Sequence, residues 1–141
     1  MAYDANNIFA QILRGEADAF HVYENDNCLA FLDVMPQSDG HTLVLPKAPA
    51  ENLFDLEPSI AGALFQSTQM VARAVRAAFK PDGIVVTQFN GSAAGQSVFH
   101  IHMHIIPRYA NTDLRQHARR MADTAILENH AERIRAALAD S

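Results

Sequence analysis

The chain has 141 residues, the usual size of one domain, and its 49% hydrophobic and 19% charged fractions exclude a disordered protein. A net charge of −5 argues against a general nucleic-acid binder, and the single cysteine, Cys28, excludes an internal disulfide or a cysteine-based zinc cluster. No apolar run approaches the ~18 residues a membrane span needs, and the first residues lack the cationic, apolar leader of a secretory signal, so a cytoplasmic protein with no membrane partner is expected.

The spacing of Ile8, Phe9, Ile12 and Leu13 predicts a short helix over 7–13, ended by Arg14-Gly15. Phe20 to Glu24 and Cys28 to Asp33 flank Asn25-Asp26-Asn27, whose residues tolerate turn geometry, and together predict a hairpin. A polar loop, Pro36 to Gly40, leads into a third strand, His41 to Leu45, closed by Pro46. Pro58 suits the first turn of the main helix, where Ile60, Leu64, Val71, Val75 and Phe79 follow one face until Lys80-Pro81-Asp82-Gly83 stops it.

Gly83 to Asn90, rich in β-branched residues, predicts a fourth strand; Gly91 to Gly95 is a small-residue loop, and Val98 to Ile106 a final strand. From Leu114 the chain reads as helical again, marked by Ile126, Ile134 and Leu138. The basic cluster Arg115 to Arg120 is short, interrupted by His117 and Ala118 and flanked by Asp113 and Asp123, so it reads as a solvated segment. Strands and helices are segregated rather than alternating, which favours an α+β fold with an antiparallel sheet.

The informative stretch is Val98-Phe99-His100-Ile101-His102-Met103-His104-Ile105-Ile106. In a strand successive side chains point to opposite faces. Phe99, Ile101, Met103 and Ile105 then form an apolar core face, and His100, His102 and His104 line up three imidazoles on the open one. One strand histidine is commonly structural, but three in strict alternation are poorly explained by packing, because every buried ring nitrogen needs a partner.

Two chemistries fit. Alternate imidazoles can ligate a metal, although rings about 7 Å apart along a straight strand converge poorly on one ion and no carboxylate stands near them in sequence. Alternatively one neutral ring attacks phosphorus while neighbouring donors hold the phosphate oxygens; an unperturbed pKa of about 6.5 leaves much of the imidazole neutral at pH 7.

The run His-Ile-His-Met-His-Ile-Ile resembles the motif of the histidine triad (HIT) family. The resemblance extends to Gly95-Gln96-Ser97-Val98, Pro107-Arg108, Gly40-His41-Thr42-Leu43-Val44-Leu45-Pro46-Lys47, Ile8-Phe9 with Ile12-Leu13-Arg14-Gly15-Glu16, and Leu29 to Asp33 with Pro36-Gln37. It covers roughly residues 7–108, leaving 109–141 as a C-terminal helical segment of a single 1–141 domain. It implies a HIT-like fold, a five-stranded antiparallel sheet with flanking helices, and a homodimer.

It further implies a hydrolase acting on the α-phosphate of a purine nucleotide through a nucleotidyl-histidine intermediate, with no cofactor. His102 would be the nucleophile, oriented by the backbone carbonyl of His100. His104 and His41 would support the phosphate pocket, and Gln96 and Ser97 would sit beside the α-phosphate and leaving group. Asn90 would contact the phosphate or ribose, Asp33 the ribose hydroxyls, and Gly95 belongs to a loop whose backbone can approach the ligand closely. A nucleoside phosphoramidate is the favoured substrate; a dinucleoside polyphosphate hydrolase and a nucleotide-binding module with little turnover are the alternatives. Zinc-binding relatives in the family carry two N-terminal cysteines and a later histidine; here Asn7, Ala10 and Pro49 stand at about those places, so that metal site is expected to be absent.

Overall fold

The structure, a computed structural model, describes residues 3–115 and 120–140. Its strands are β1 (His21–Glu24), β2 (Cys28–Leu32), β3 (Thr42–Pro46), β4 (Gly83–Thr87) and β5 (Met103–Arg108); its helices are α1 (Ile8–Leu13), α2 (Pro58–Phe79) and α3 (Thr124–Ala139). The strands form one antiparallel sheet in the order β1-β2-β3-β5-β4, so the fold is the α+β architecture expected. No helix among the described residues is long and apolar enough to cross a membrane.

Period-two alternation along β2 and β3 divides the core. Cys28, Ala30, Leu32 and Val44 pack with Val71 and Val75 of α2 and Leu127, Ala131 and Ile134 of α3. Leu29, Phe31, Leu43 and Leu45 point the other way, onto Phe9 and Ile12 of α1. A helix as short as α1 is not stable alone. Burial of Phe9 and Ile12, each worth about 1.5–3 kcal/mol, holds it, helped by Asn7, whose side chain caps it by accepting the Ala10 N–H at 2.9 Å. Leu43 is registered opposite His104 across β3 and β5, so the histidine face is the α1 face of the sheet.

Three boundaries differ from the sequence reading, and each has a cause. The last strand begins at Met103 rather than Val98, because backbone groups before it are engaged outside any ladder: Ile101 N–H donates to the Ala50 carbonyl at 2.9 Å, and the Val98 carbonyl accepts from Gln96 Nε2 at 3.0 Å. β4 ends at Thr87, opposite His104, rather than at Asn90. The C-terminal helix begins at Thr124 rather than Leu114. The chain before it lies against the 34–37 loop, with Arg115 N–H donating to the Gln37 carbonyl and Ala122 N–H to that of Val34, at 2.7 and 2.9 Å. Asp123 then caps α3 by accepting the Ala125 N–H at 2.8 Å. Part of the basic cluster, 116–119, lies outside the described residues.

Candidate active site

The sheet brings together three imidazoles that are not the three of the sequence run. His102 and His104 stand side by side, ring centroids 4.9 Å apart, and the third is His41, 5.3 Å from His104. His41 reaches this place because Gly40, at φ +89, turns the chain into β3, where Phe79 packs so close that a Cβ on Gly40 would meet its ring at 3.0 Å. His41 is 1% exposed, although a histidine at a strand start is ordinarily a surface residue.

The expectation that His100 shares the open face is not met. Its ring is fully buried, with Nε2–H donated to the Pro46 carbonyl at 2.7 Å and Nδ1 2.5 Å from the Tyr3 hydroxyl. Because the chain has not yet entered the strand at residue 100, strand alternation does not govern where this side chain goes. Burial pushes its pKa down, against the raising effect of the Pro46 bond. What His100 presents to the site is its backbone carbonyl, which accepts Nδ1–H of His102 at 2.7 Å. With the proton of neutral His102 on Nδ1, its lone pair is on Nε2.

A second chain of hydrogen bonds sets the other two rings. The Gln37 backbone N–H donates to His41 Nδ1 at 3.0 Å, so neutral His41 carries its proton on Nε2. That nitrogen lies 3.0 Å from His104 Nδ1 and 3.5 Å from Asp33 Oδ2. Neutral His104 therefore accepts on Nδ1 and holds its proton on Nε2. The two neighbouring rings are thus prepared as opposites: His102 with a lone pair on Nε2, His104 with an N–H there. Phe9 meets the His102 ring edge-on at 4.8 Å, and Phe89 that of His104 at 5.4 Å.

Asp33, 7% exposed, supplies the carboxylate that the sequence near the triad lacks. One ligand atom each from Asp33, His41 and His104 lie within 4.8 Å of one another, a spacing a metal ion would accept. The donor set does not suit one. A ligating nitrogen needs its lone pair, and the Gln37 N–H holds the lone pair of His41 on the other side of the ring.

His102, His104, Asp33 and Ser97 line one cavity of about 710 Å³ with an otherwise largely apolar wall that includes Phe9, Ile12, Phe31 and Leu43. That volume is in the range of small-ligand sites. The wall also takes Met121 and Glu128 from the C-terminal part of the chain.

Gln96 and Asn90 have partners other than those expected. Gln96, 4% exposed, accepts the Gly91 N–H and donates to the carbonyls of Glu51 and Val98, tying the 91–95 loop down. Asn90 accepts from Leu53 N–H and exchanges bonds with Gln88. Gly95, at φ +107, closes the turn that hands the chain to Gln96 and Ser97. Tyr3, Phe9, Gln37 and Phe89 are contributors that sequence reasoning missed. Phe9 was legible only as helix core, and nothing in the sequence marks Tyr3 or Phe89.

The family model for the HIT domain matches residues 14–111, and the chain belongs to that family. It is 45% identical to Protein hit of Bacillus subtilis over 108 residues, 77% of this chain and 74% of that protein. It is 38% identical to adenylylsulfatase HINT3 of Arabidopsis thaliana over 117 residues, 79% of this chain and 59% of that protein. The crystal structure of a HIT-like protein from Bartonella henselae superposes with a TM-score of 0.90 at 46% identity, covering 96% of this chain and 99% of that one.

Proposed function

We propose that the protein is a metal-independent nucleotide hydrolase, a nucleoside phosphoramidase, that acts through a covalent nucleotidyl-His102 intermediate. The observation that carries this is the bond from His102 Nδ1–H to the His100 carbonyl, which leaves the lone pair on Nε2 of a ring lining a nucleotide-sized cavity. In the first step that lone pair forms a bond to the α-phosphorus. The bond from phosphorus to the leaving amine breaks, and the amine takes a proton, with Ser97 as the nearby hydroxyl donor. The His104 Nε2–H donates to a phosphate oxygen, where fixed donors contribute most to the rate. In the second step water attacks phosphorus and its proton restores the Ser97 hydroxyl, the N–P bond to His102 breaks, and the nucleoside monophosphate leaves with His102 restored. The purine rests against Phe9, Phe31 and Leu43, with the ribose hydroxyls donating to Asp33. We place this activity in the cytoplasm.

The test is incubation with adenosine 5′-phosphoramidate, adenylyl sulfate and a diadenosine polyphosphate, each with and without chelator. Phosphoramidate turnover that survives chelator supports the reading. A strict preference for the polyphosphate replaces it with the rival hydrolase, and binding without turnover of any of the three replaces it with a binding module. His102→Ala is expected to lose about 10⁴-fold or more in kcat with nucleotide affinity largely kept. Normal turnover by that variant refutes the mechanism.

We also infer that the protein acts as a homodimer through β4. This strand is an edge of the sheet and exposes Val85 (40%) and Val86 (43%), and Phe65 of the neighbouring α2 is 65% exposed. An unprotected apolar edge invites pairing with an identical edge about a two-fold axis. Val86→Lys is expected to shift the sedimenting species from dimer to monomer, whereas a wild-type monomer discards the idea.

A further inference from the structure

Tyr3 lies before the stretch matched to the HIT domain, yet it reaches the middle of the histidine run. The Nε2–H of His100 is engaged by Pro46, so Nδ1 carries the lone pair and the Tyr3 hydroxyl is the donor across 2.5 Å. The two rings meet edge to face with centroids 5.6 Å apart. His100 is thereby held at both ring nitrogens, and its carbonyl holds His102.

We propose that Tyr3 is a positioning residue for the nucleophile. By fixing His100 it keeps the carbonyl of that residue aimed at His102 Nδ1, and so keeps the lone pair of His102 on Nε2. The inference rests on the reading of His102 as the attacking group. It is needed because residue 100 precedes β5, so no ladder sets the direction of its carbonyl. The restraints on this stretch include the Ile101 bond to Ala50, the Gln96 bond to Val98, and the two side-chain bonds of His100.

Tyr3 is itself carried on a fixed base. The Asp4 carbonyl accepts from the side chain of Asn7 at 2.7 Å, and Asn7 caps α1, whose Phe9 packs on His102. The N-terminal segment thus steadies the nucleophile from two sides, by Phe9 directly and by Tyr3 through His100. Removing the hydroxyl leaves a buried acceptor without its donor. The His100 ring relieves that by turning, and its peptide turns with it. Small misplacement of a reacting group can cost up to about 100-fold in rate.

The test is Tyr3→Phe, which keeps the ring and its packing. Nitrogen-15 NMR of the unliganded, histidine-labelled protein is expected to show His102 as the Nδ1–H tautomer in the wild type and as a mixture in the variant. On adenosine 5′-phosphoramidate, kcat is expected to fall about tenfold with KM within about twofold, because Tyr3 lines none of the nucleotide cavity. If Tyr3→Phe lowers only the melting temperature, with His102 still a single Nδ1–H tautomer and kcat unchanged, Tyr3 is a structural staple and the proposal falls. A wild type that turns over no nucleotide refutes the hydrolase reading instead. The tautomer measurement needs no turnover and still decides what Tyr3 does to His102.

Discussion

His100 and His102 stand two residues apart in one alternating run, and the structure gives them opposite environments. The His100 ring is closed between Pro46 and Tyr3, both nitrogens engaged. The His102 ring lines the cavity with one nitrogen tied to a backbone carbonyl. The difference arises because both residues precede β5, so each ring follows its own partners rather than a shared pleat. β5 is paired with β3 over Met103–Ile105 and with β4 over His104–Arg108, and within it the pleat decides which way each side chain points. Before Met103 the backbone bonds individually to Ala50 and Gln96, and each side chain goes where its own partners are. A repeated residue type therefore acquires its role from what faces each nitrogen.

The comparison can be broken at its catalytic end first. His102→Ala carries the largest expected effect, the 10⁴-fold or greater loss in kcat given above. His104→Ala, which removes a donor to phosphate without removing the nucleophile, is expected to cost about 10²–10³-fold. His41→Ala acts through His104 by withdrawing the partner of its Nδ1, and is expected to cost about tenfold. The order matters more than the values. Steady-state kinetics in which His41→Ala is as damaging as His104→Ala would place His41 against the substrate and end the relay from Gln37.

Much of this site was legible in the sequence, because its parts are local. His102, Met103, His104 and Ile105 are consecutive residues at the entry to one strand, and Gly40-His41 marks a turn into another. The parts that were not legible depend on contacts between distant segments. Asp33 meets His41 and His104 only because β2, β3 and β5 are neighbours in the sheet. Tyr3 meets His100 across 97 positions, and a lone tyrosine in a polar N-terminal segment carries no pattern. Gln96 and Asn90, expected beside the ligand, are also bonded to the adjoining loops, Gln96 to Gly91, Glu51 and Val98 and Asn90 to Leu53 and Gln88, partners that no local pattern announces.

The smallest expected effect is thermodynamic and concerns His100 alone. Burial holds its pKa below the ordinary histidine value of about 6.5 in the folded protein, while the unfolded chain binds a proton at about that value. Between the two values the unfolded state binds more protons than the native state, so stability rises with pH there and is lost as pH falls. His130, also lowered by burial, has the same sign, so these two histidines together are expected to weaken the fold on acidification below about pH 6.5. His100→Gln separates the two. The amide can donate to Pro46 and accept from Tyr3 but does not titrate, so urea unfolding at about pH 7 and about pH 5 should show a shallower loss than the wild type. An unchanged slope would mean that His100 is protonated as readily in the folded protein as in the unfolded chain. A ring with a proton on each nitrogen could not accept from Tyr3, and the contrast between His100 and His102 would have to be redrawn.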